Sequence, residues 1–240
     1  MSHPSHDALL EVAVLHARDV AGCVEGGADR LSLAVDGRSP DVPTAASVIR
    51  ASTVPVRVML RLDDSFTTTG GDLMRLIGLA REYATLGAEG VCFGFLDADL
   101  GIDVATTVAL ADSLAGVPWT FHRAVDATLE PRRAWGRLLG LPGLTAVASG
   151  GSPQGLAQGY DDLLDLASSD PAIAALLMPA GGLVAEQVPW FVRAGVRQFH
   201  VGSQVRPGGT SLASADAALV RSWRLLLDAV PARPSAHRGA

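Results

Sequence analysis

The sequence predicts a single α/β domain of the (β/α)8, or TIM-barrel, class, spanning residues 8–230. Three observations carry that prediction. Short apolar strands alternate with longer helical patterns almost from end to end, the alternation runs through eight units without a break, and a weak repeat marks several joints. Such alternation implies a parallel sheet, and eight units favour closure into a barrel over an open sheet.

Strands are expected at 9–15, 30–35, 56–62, 90–95, 118–123, 144–149, 174–179 and 197–202. Between them, segments such as 73–86, 104–114, 156–167 and 185–194 carry apolar residues at helical spacing, as in Leu73, Leu76, Ile77 and Ala80. A last helix is expected over 214–230, capped by Ser214 and with Asp216 in its first turn. At 26–31, 86–91 and 194–199 the joints share one grammar: a helix ends, a glycine takes the left-handed cap position, and a strand begins. Residues 1–7 and 231–240 read as flexible termini.

Composition narrows the function. Hydrophobic residues make up 48% of the chain, enough for a large core, yet no apolar run approaches the roughly 20 residues of a membrane span. The N-terminus lacks the basic and apolar regions of a signal peptide, so a cytoplasmic location is expected. A net charge of −6 without a basic cluster argues against nucleic-acid and membrane partners. The only cysteines, Cys23 and Cys92, form no C-x-x-C pair, which disfavours a disulfide framework or structural zinc. All 19 basic residues are arginine, so Schiff-base chemistry on a lysine amine is excluded.

Period-two alternation sorts the strand residues. The outer face of a barrel strand lies under helices and must be apolar, whereas the inner face tolerates polar groups near the C-terminal rim. Glu11, Ser32, Arg57, Arg61, Thr120, His122 and His200 fall on the inner side. Arg61 and His122 stand near the C-terminal ends of their strands, where barrel enzymes place catalytic groups. Arg57, near a strand start, reads as part of a structural ion pair, and Glu11 is the obvious partner for a buried arginine. The set is either a satisfied structural network or a ligand pocket. By the same parity Arg123 points outward.

Several segments resemble the CutC family, named for copper homeostasis. Thr120-Phe121-His122-Arg123-Ala124-Val125-Asp126 is close to that family's T-F-H-R-A-F-D. Gly27-Ala28-Asp29-Arg30-Leu31, Arg57-Val58-Met59-Leu60-Arg61, Ser149-Gly150-Gly151, Met178-Pro179-Ala180-Gly181-Gly182 and Phe199-His200 also fit in order and spacing. The resemblance covers most of residues 8–203 and implies the same barrel fold. Where the family carries cysteines on its first two strands, this chain has Ala13 and Ala34, and Ser32 replaces the second-strand glutamate. The loops after strands two and three differ as well. The chain looks like a divergent member.

Two chemistries follow. Copper is what the family name implies, but Cu(I) prefers soft ligands. Only Cys92, with Met59, Met178, His122 and His200 as candidate companions, remains to supply them; His3 in Met-Ser-His is a weaker Cu(II) candidate. The alternative is metal-independent acid/base chemistry by His122 and Arg61, with Glu11 and Asp126 as carboxylates and no cofactor. Asp126 would orient an imidazole nitrogen or cap the next helix. Ser149, Gly150, Gly151, Gly181, Gly182, Gly202 and Ser203 follow strands six to eight, where barrels bind phosphate on backbone N–H groups, and with His200 they complete the expected ligand set. A small anion is thus the expected partner. A third reading, a non-catalytic binding or assembly protein, stays open, as does self-association.

Overall fold

The computed structural model describes residues 7–114 and 116–230. The expected flexible termini, apart from Asp7 in the first, lie outside the described residues, and so does His3. Eight parallel strands are ordered β7-β6-β5-β4-β3-β2-β1-β8. They are β1 (Leu9–Val14), β2 (Arg30–Leu33), β3 (Val56–Met59), β4 (Gly90–Phe93), β5 (Trp119–Phe121), β6 (Leu144–Ser149), β7 (Leu177–Pro179) and β8 (Gln198–Val201). The helices are α1 (Ala17–Gly26), α2 (Val42–Ala51), α3 (Gly70–Thr85), α4 (Val104–Ser113), α5 (Pro131–Leu138), α6 (Leu156–Ser169), α7 (Pro171–Leu176), α8 (Val188–Ala194) and α9 (Ala217–Ala229). β7 and β8 share no ladder among the described residues. Gln198 bridges that seam, donating from Nε2 to Thr145 O (2.9 Å) and Ala175 O (3.4 Å).

The apolar parity of each strand builds the core between strands and helices. Leu10, Val12, Leu31, Leu33, Val58, Phe93, Phe121, Val147, Leu177 and Phe199 are all buried there. Each such side chain contributes roughly 1.5–3 kcal/mol, and moving any strand by one residue would turn this set into the barrel. Register then stacks the inner residues: Glu11 lies opposite Arg30 and His200, Ser32 opposite Arg57, and Cys92 opposite Met59 and Thr120.

The inner layer near the strand starts is a satisfied ionic floor. Arg30 Nε donates to Glu11 at 2.5 Å, while Arg57 donates to Glu89 (2.9 Å) and to Thr120 Oγ1 (2.6 Å). Arg57 is the structural cation its position predicts, but its partner is Glu89, because the register sets Glu11 beside Arg30. The glycine joints hold too: Gly27, Gly87 and Gly195 have φ of 92°, 97° and 103°, the left-handed region where a Cβ is strained.

Several boundaries differ from the sequence reading. The seventh strand starts at Leu177, because Asp170 and Pro171 open α7, with Asp170 Oδ1 accepting from Ala172 N. α9 is capped by Asp216, not Ser214; its carboxylate accepts from the N–H groups of Ala218 and Leu219. β3 and β5 stop at Met59 and Phe121, so Arg61 and His122 stand just beyond their strands. Both sit at the C-terminal mouth.

Candidate functional site at the barrel mouth

Above the ionic floor lies a cavity of about 510 Å³. Of the residues expected at a site, Glu11, Arg61, His122, Gly181, Gly182, His200, Gly202 and Ser203 line it. Asp126, Ser149, Gly150 and Gly151 do not. Asp126 neither orients an imidazole nor caps a helix. Its carboxylate accepts from Ser149 Oγ (2.6 Å), from the N–H groups of Gly150 (2.9 Å) and Gly151 (3.2 Å), and from Arg123 Nε (2.8 Å). The amides after β6 are therefore already committed to an internal carboxylate.

His122 follows β5 directly, and the turn Arg123–Ala127 begins right after it. That turn directs Ala124 N–H onto His122 Nδ1 at 3.1 Å, which places the hydrogen of the neutral ring on Nε2. Burial, and then the neighbouring Arg61, push the imidazole down to about 3, so it is neutral at physiological pH. Its donor is a neutral N–H, and no protonation is needed to supply it.

Arg61 stands on the loop after β3. Its Nη2 donates to Asp64 O at 2.5 Å, while its Nε is buried without any hydrogen-bond partner. Burial lowers its pKa, with Asp64 and Asp63 opposing, but an arginine remains charged. Phe66 lies against both groups: the guanidinium carbon is 4.7 Å from its ring centre and the His122 ring 5.6 Å.

Glu11 and His200 form the other wall. The register of β1 and β8 puts Glu11 Oε1 2.8 Å from His200 Nδ1. Burial would raise the Glu11 pKa, but Arg30, the His200 hydrogen bond and Arg57 outweigh it and hold the carboxyl at about 2. On the rim, Gln204 accepts from Gly202 N and donates to Leu183 O, tying the loops after β7 and β8 together.

Phe66 and Arg123 are among the lining residues that escape the sequence reading. Phe66 lies in a loop without periodicity. Arg123 was expected outside, yet it lines the cavity and a Cβ on Gly181 would come within 2.7 Å of its Nη1. Parity fails there because the strand has already given way to the turn.

The CutC family model matches residues 8–205. This chain belongs to the CutC family. A family protein CutC from Klebsiella pneumoniae subsp. pneumoniae is 30% identical over 202 residues, covering 80% of this chain and 79% of the relative. One from Vibrio vulnificus is 31% identical over 224 residues, covering 86% of each. Among solved structures, the CutC protein of Streptococcus agalactiae, provisionally named for copper homeostasis, superposes with a TM-score of 0.70. It is 19% identical and covers 81% of this chain and 98% of its own. Thiamine phosphate pyrophosphorylase from Pyrococcus furiosus shares the fold at a TM-score of 0.61, with 14% identity, over 94% of this chain and 98% of its own. No helix among the described residues is long and apolar enough to cross a membrane.

The donors present do not fit the copper that the family name implies. Burial pushes the Cys92 thiol up to about 12, so it keeps its proton. The Nδ1 atoms of His122 and His200 are engaged, and Met178 Sδ faces Arg30 Nη2 at 3.6 Å. No three His, Cys, Asp or Glu side chains converge among the described residues.

Proposed function

We propose that the barrel mouth binds a small phosphorylated or carboxylated compound and serves metal-independent acid/base chemistry on it. The observation that carries this reading is Arg61, a charged side chain whose buried Nε has no partner in the protein. A buried N–H without an acceptor is costly, and an incoming anion relieves that cost. Opposite it, the N–H groups of Gly181 and Gly182 donate to nothing among the described residues, and both glycines hold the left-handed backbone, at φ 87° and 94°. Such amides and a forked guanidinium suit the two ends of one anionic molecule. His122 offers a neutral donor between them. Copper homeostasis ranks second: Cys92, Met59 and Met178 share the cavity, but their protonation and contacts oppose it.

A thermal-shift panel of inorganic phosphate, 2-phosphoglycolate and neutral sugars tests the reading on wild type and Arg61→Ala. Anions should stabilise the wild type by about 2.7 kcal/mol at a hundredfold their dissociation constant, and Arg61→Ala should lose most of that response. Neutral sugars acting as strongly as anions, or an unchanged response in Arg61→Ala, would overturn it.

A further inference from the structure

The two imidazoles of the mouth are anchored through Nδ1 in opposite senses, one to a backbone N–H and the other to a carboxylate. Glu11 is buried and ionised, and an ionised carboxylate only accepts. The hydrogen between it and His200 therefore sits on His200 Nδ1, so the Nε2 of that ring, which meets no partner among the described residues, is the nitrogen left to exchange a proton with a ligand. His122 is the reverse: Nδ1 accepts from Ala124 N–H, and Nε2 carries the hydrogen. One cavity thus holds a proton acceptor and a neutral proton donor, with a guanidinium beside the donor. The covalent alternatives are missing. The chain has no lysine, the Cys92 thiol keeps its proton, and no hydroxyl in the cavity is hydrogen-bonded to either imidazole.

We infer that the mouth enolises a small phosphorylated α-hydroxy carbonyl compound, with His200 as base, His122 as hydrogen-bond donor to the carbonyl oxygen, and Glu11 positioning His200. This rests on the anion-binding reading above. Nε2 of His200 takes the proton from the carbon next to the carbonyl. The C–H electron pair becomes the new C=C bond, and the carbonyl π pair moves onto oxygen. The oxyanion accepts from His122 Nε2–H with Arg61 beside it, an arrangement that stabilises charge where it develops. A neutral imidazole suits this role because it polarises the carbonyl without giving up its proton. Once the proton on His200 has exchanged with solvent, return of a solvent-derived proton to the same carbon regenerates the substrate with that hydrogen exchanged, and without that swap the original substrate is restored. No oxidant, metal or further reactant is needed.

The test uses the full chain in D2O, with glycolaldehyde phosphate, dihydroxyacetone phosphate and glyceraldehyde 3-phosphate as probes. Proton NMR follows loss of the hydrogen next to the carbonyl. At least one probe should exchange well above the buffer rate. His200→Gln should reduce that rate about 100-fold or more, while 2-phosphoglycolate still raises its melting temperature. Glu11→Gln should slow exchange about 10- to 100-fold with an unchanged half-saturating concentration, as for loss of an orienting partner. A purely structural Glu11 would alter binding as well. Stabilisation by 2-phosphoglycolate with no exchange of any probe overturns the enolisation and leaves the anion site standing; no stabilisation at all removes both. Nitrogen-15 spectra of the wild type give a check independent of variant folding: a His200 proton on Nε2, or a His122 proton on Nδ1, overturns the assignment.

Discussion

Arg206 and Arg61 both stand on loops that follow barrel strands, and they are treated in opposite ways. Arg206 grips Asp19 with two parallel bonds of 3.0 and 2.9 Å and also donates to Ala213 O and Ala13 O. Asp19 in turn accepts from the N–H groups of Leu15, His16 and Ala215. That clasp locks the loop after β8 onto the end of β1 and the start of α1. Among the described residues the Arg61 side chain makes one hydrogen bond, to the carbonyl of its own loop, and leaves a buried Nε unmatched. Arg224 also leaves a buried Nε bare, yet its Nη1 holds Asp29 at 2.7 Å. What sets Arg61 apart is that its guanidinium has no carboxylate partner within salt-bridge distance among the described residues and lines a cavity, which leaves it poised for a partner from outside.

The sharpest way to break that distinction is Asp19→Ala. It strands Arg206 in a buried setting, and loss of one member of such a pair costs about 3–5 kcal/mol. Urea denaturation should show that loss with little change in slope. A cost below about 1 kcal/mol, the ordinary surface range, would mean that the clasp is decorative.

Acid titration comes next. His122 is held near 3 in the fold against 6.5 when free. Its contribution is therefore complete above pH 6.5. As pH falls toward 3, the unfolded chain binds a proton that the folded chain refuses, so stability falls by up to about 1.4 kcal/mol per pH unit. Glu11, held at about 2 against 4.5, adds the same sign of loss between those values. In the clasp, burial works to raise the Asp19 pKa, but Arg206 and the backbone N–H bonds outweigh it and lower it, so its share fades only below 3.8. Between pH 6.5 and 4.5 the mouth should thus weaken while the clasp holds. His122→Gln should flatten that window; an unchanged slope would show that His122 takes up its proton normally in the fold.

How legible was this in the sequence? The barrel was, because eight apolar strands and glycine-capped joints are local patterns that tertiary packing has no reason to override. Inward parity put Glu11, Arg61, His122 and His200 on one side, and all four line the cavity: Glu11 and His200 stand on strands, while the pattern carries two residues past β3 to Arg61 and one past β5 to His122. It failed one residue later at Arg123, where the strand becomes a turn. Asp126 was misread for another reason. The choice between orienting His122 and holding the β6 loop depends on two loops far apart in sequence, and no local signal records it. The pairing of Arg57 with Glu89 and of Glu11 with Arg30 depends on strand register, which composition does not encode.

Copper offers a smaller effect. Cys92 is the one thiol in the cavity, buried and protonated, with Ala13 and Ala34 where the resemblance placed family cysteines. Anaerobic Cu(I) titration against a competing chelator should show weak binding, changed less than about tenfold, or 1.4 kcal/mol, by Cys92→Ser. Tight stoichiometric binding lost in that variant would make the mouth a soft-metal site and move copper ahead of the anion.

The smallest effect is expected where the comparison makes its most specific claim. Arg61→Met keeps a long flexible side chain against Phe66 but removes the charge. The change gives up a cation–π contact worth about 0.5–1 kcal/mol and one hydrogen bond to Asp64 O worth about 1 kcal/mol. It also relieves a buried N–H with no acceptor, whose cost is about 1–3 kcal/mol. These oppose one another, so the ligand-free variant should match wild type within about 1 kcal/mol in urea, while its response to 2-phosphoglycolate disappears. Asp19→Ala predicts the opposite pair of results, a large loss of stability with the anion response retained in whatever fraction folds. If Arg61→Met instead lost 3 kcal/mol or more without ligand, the guanidinium would be as structural as that of Arg206, and its bare Nε would carry no meaning for binding.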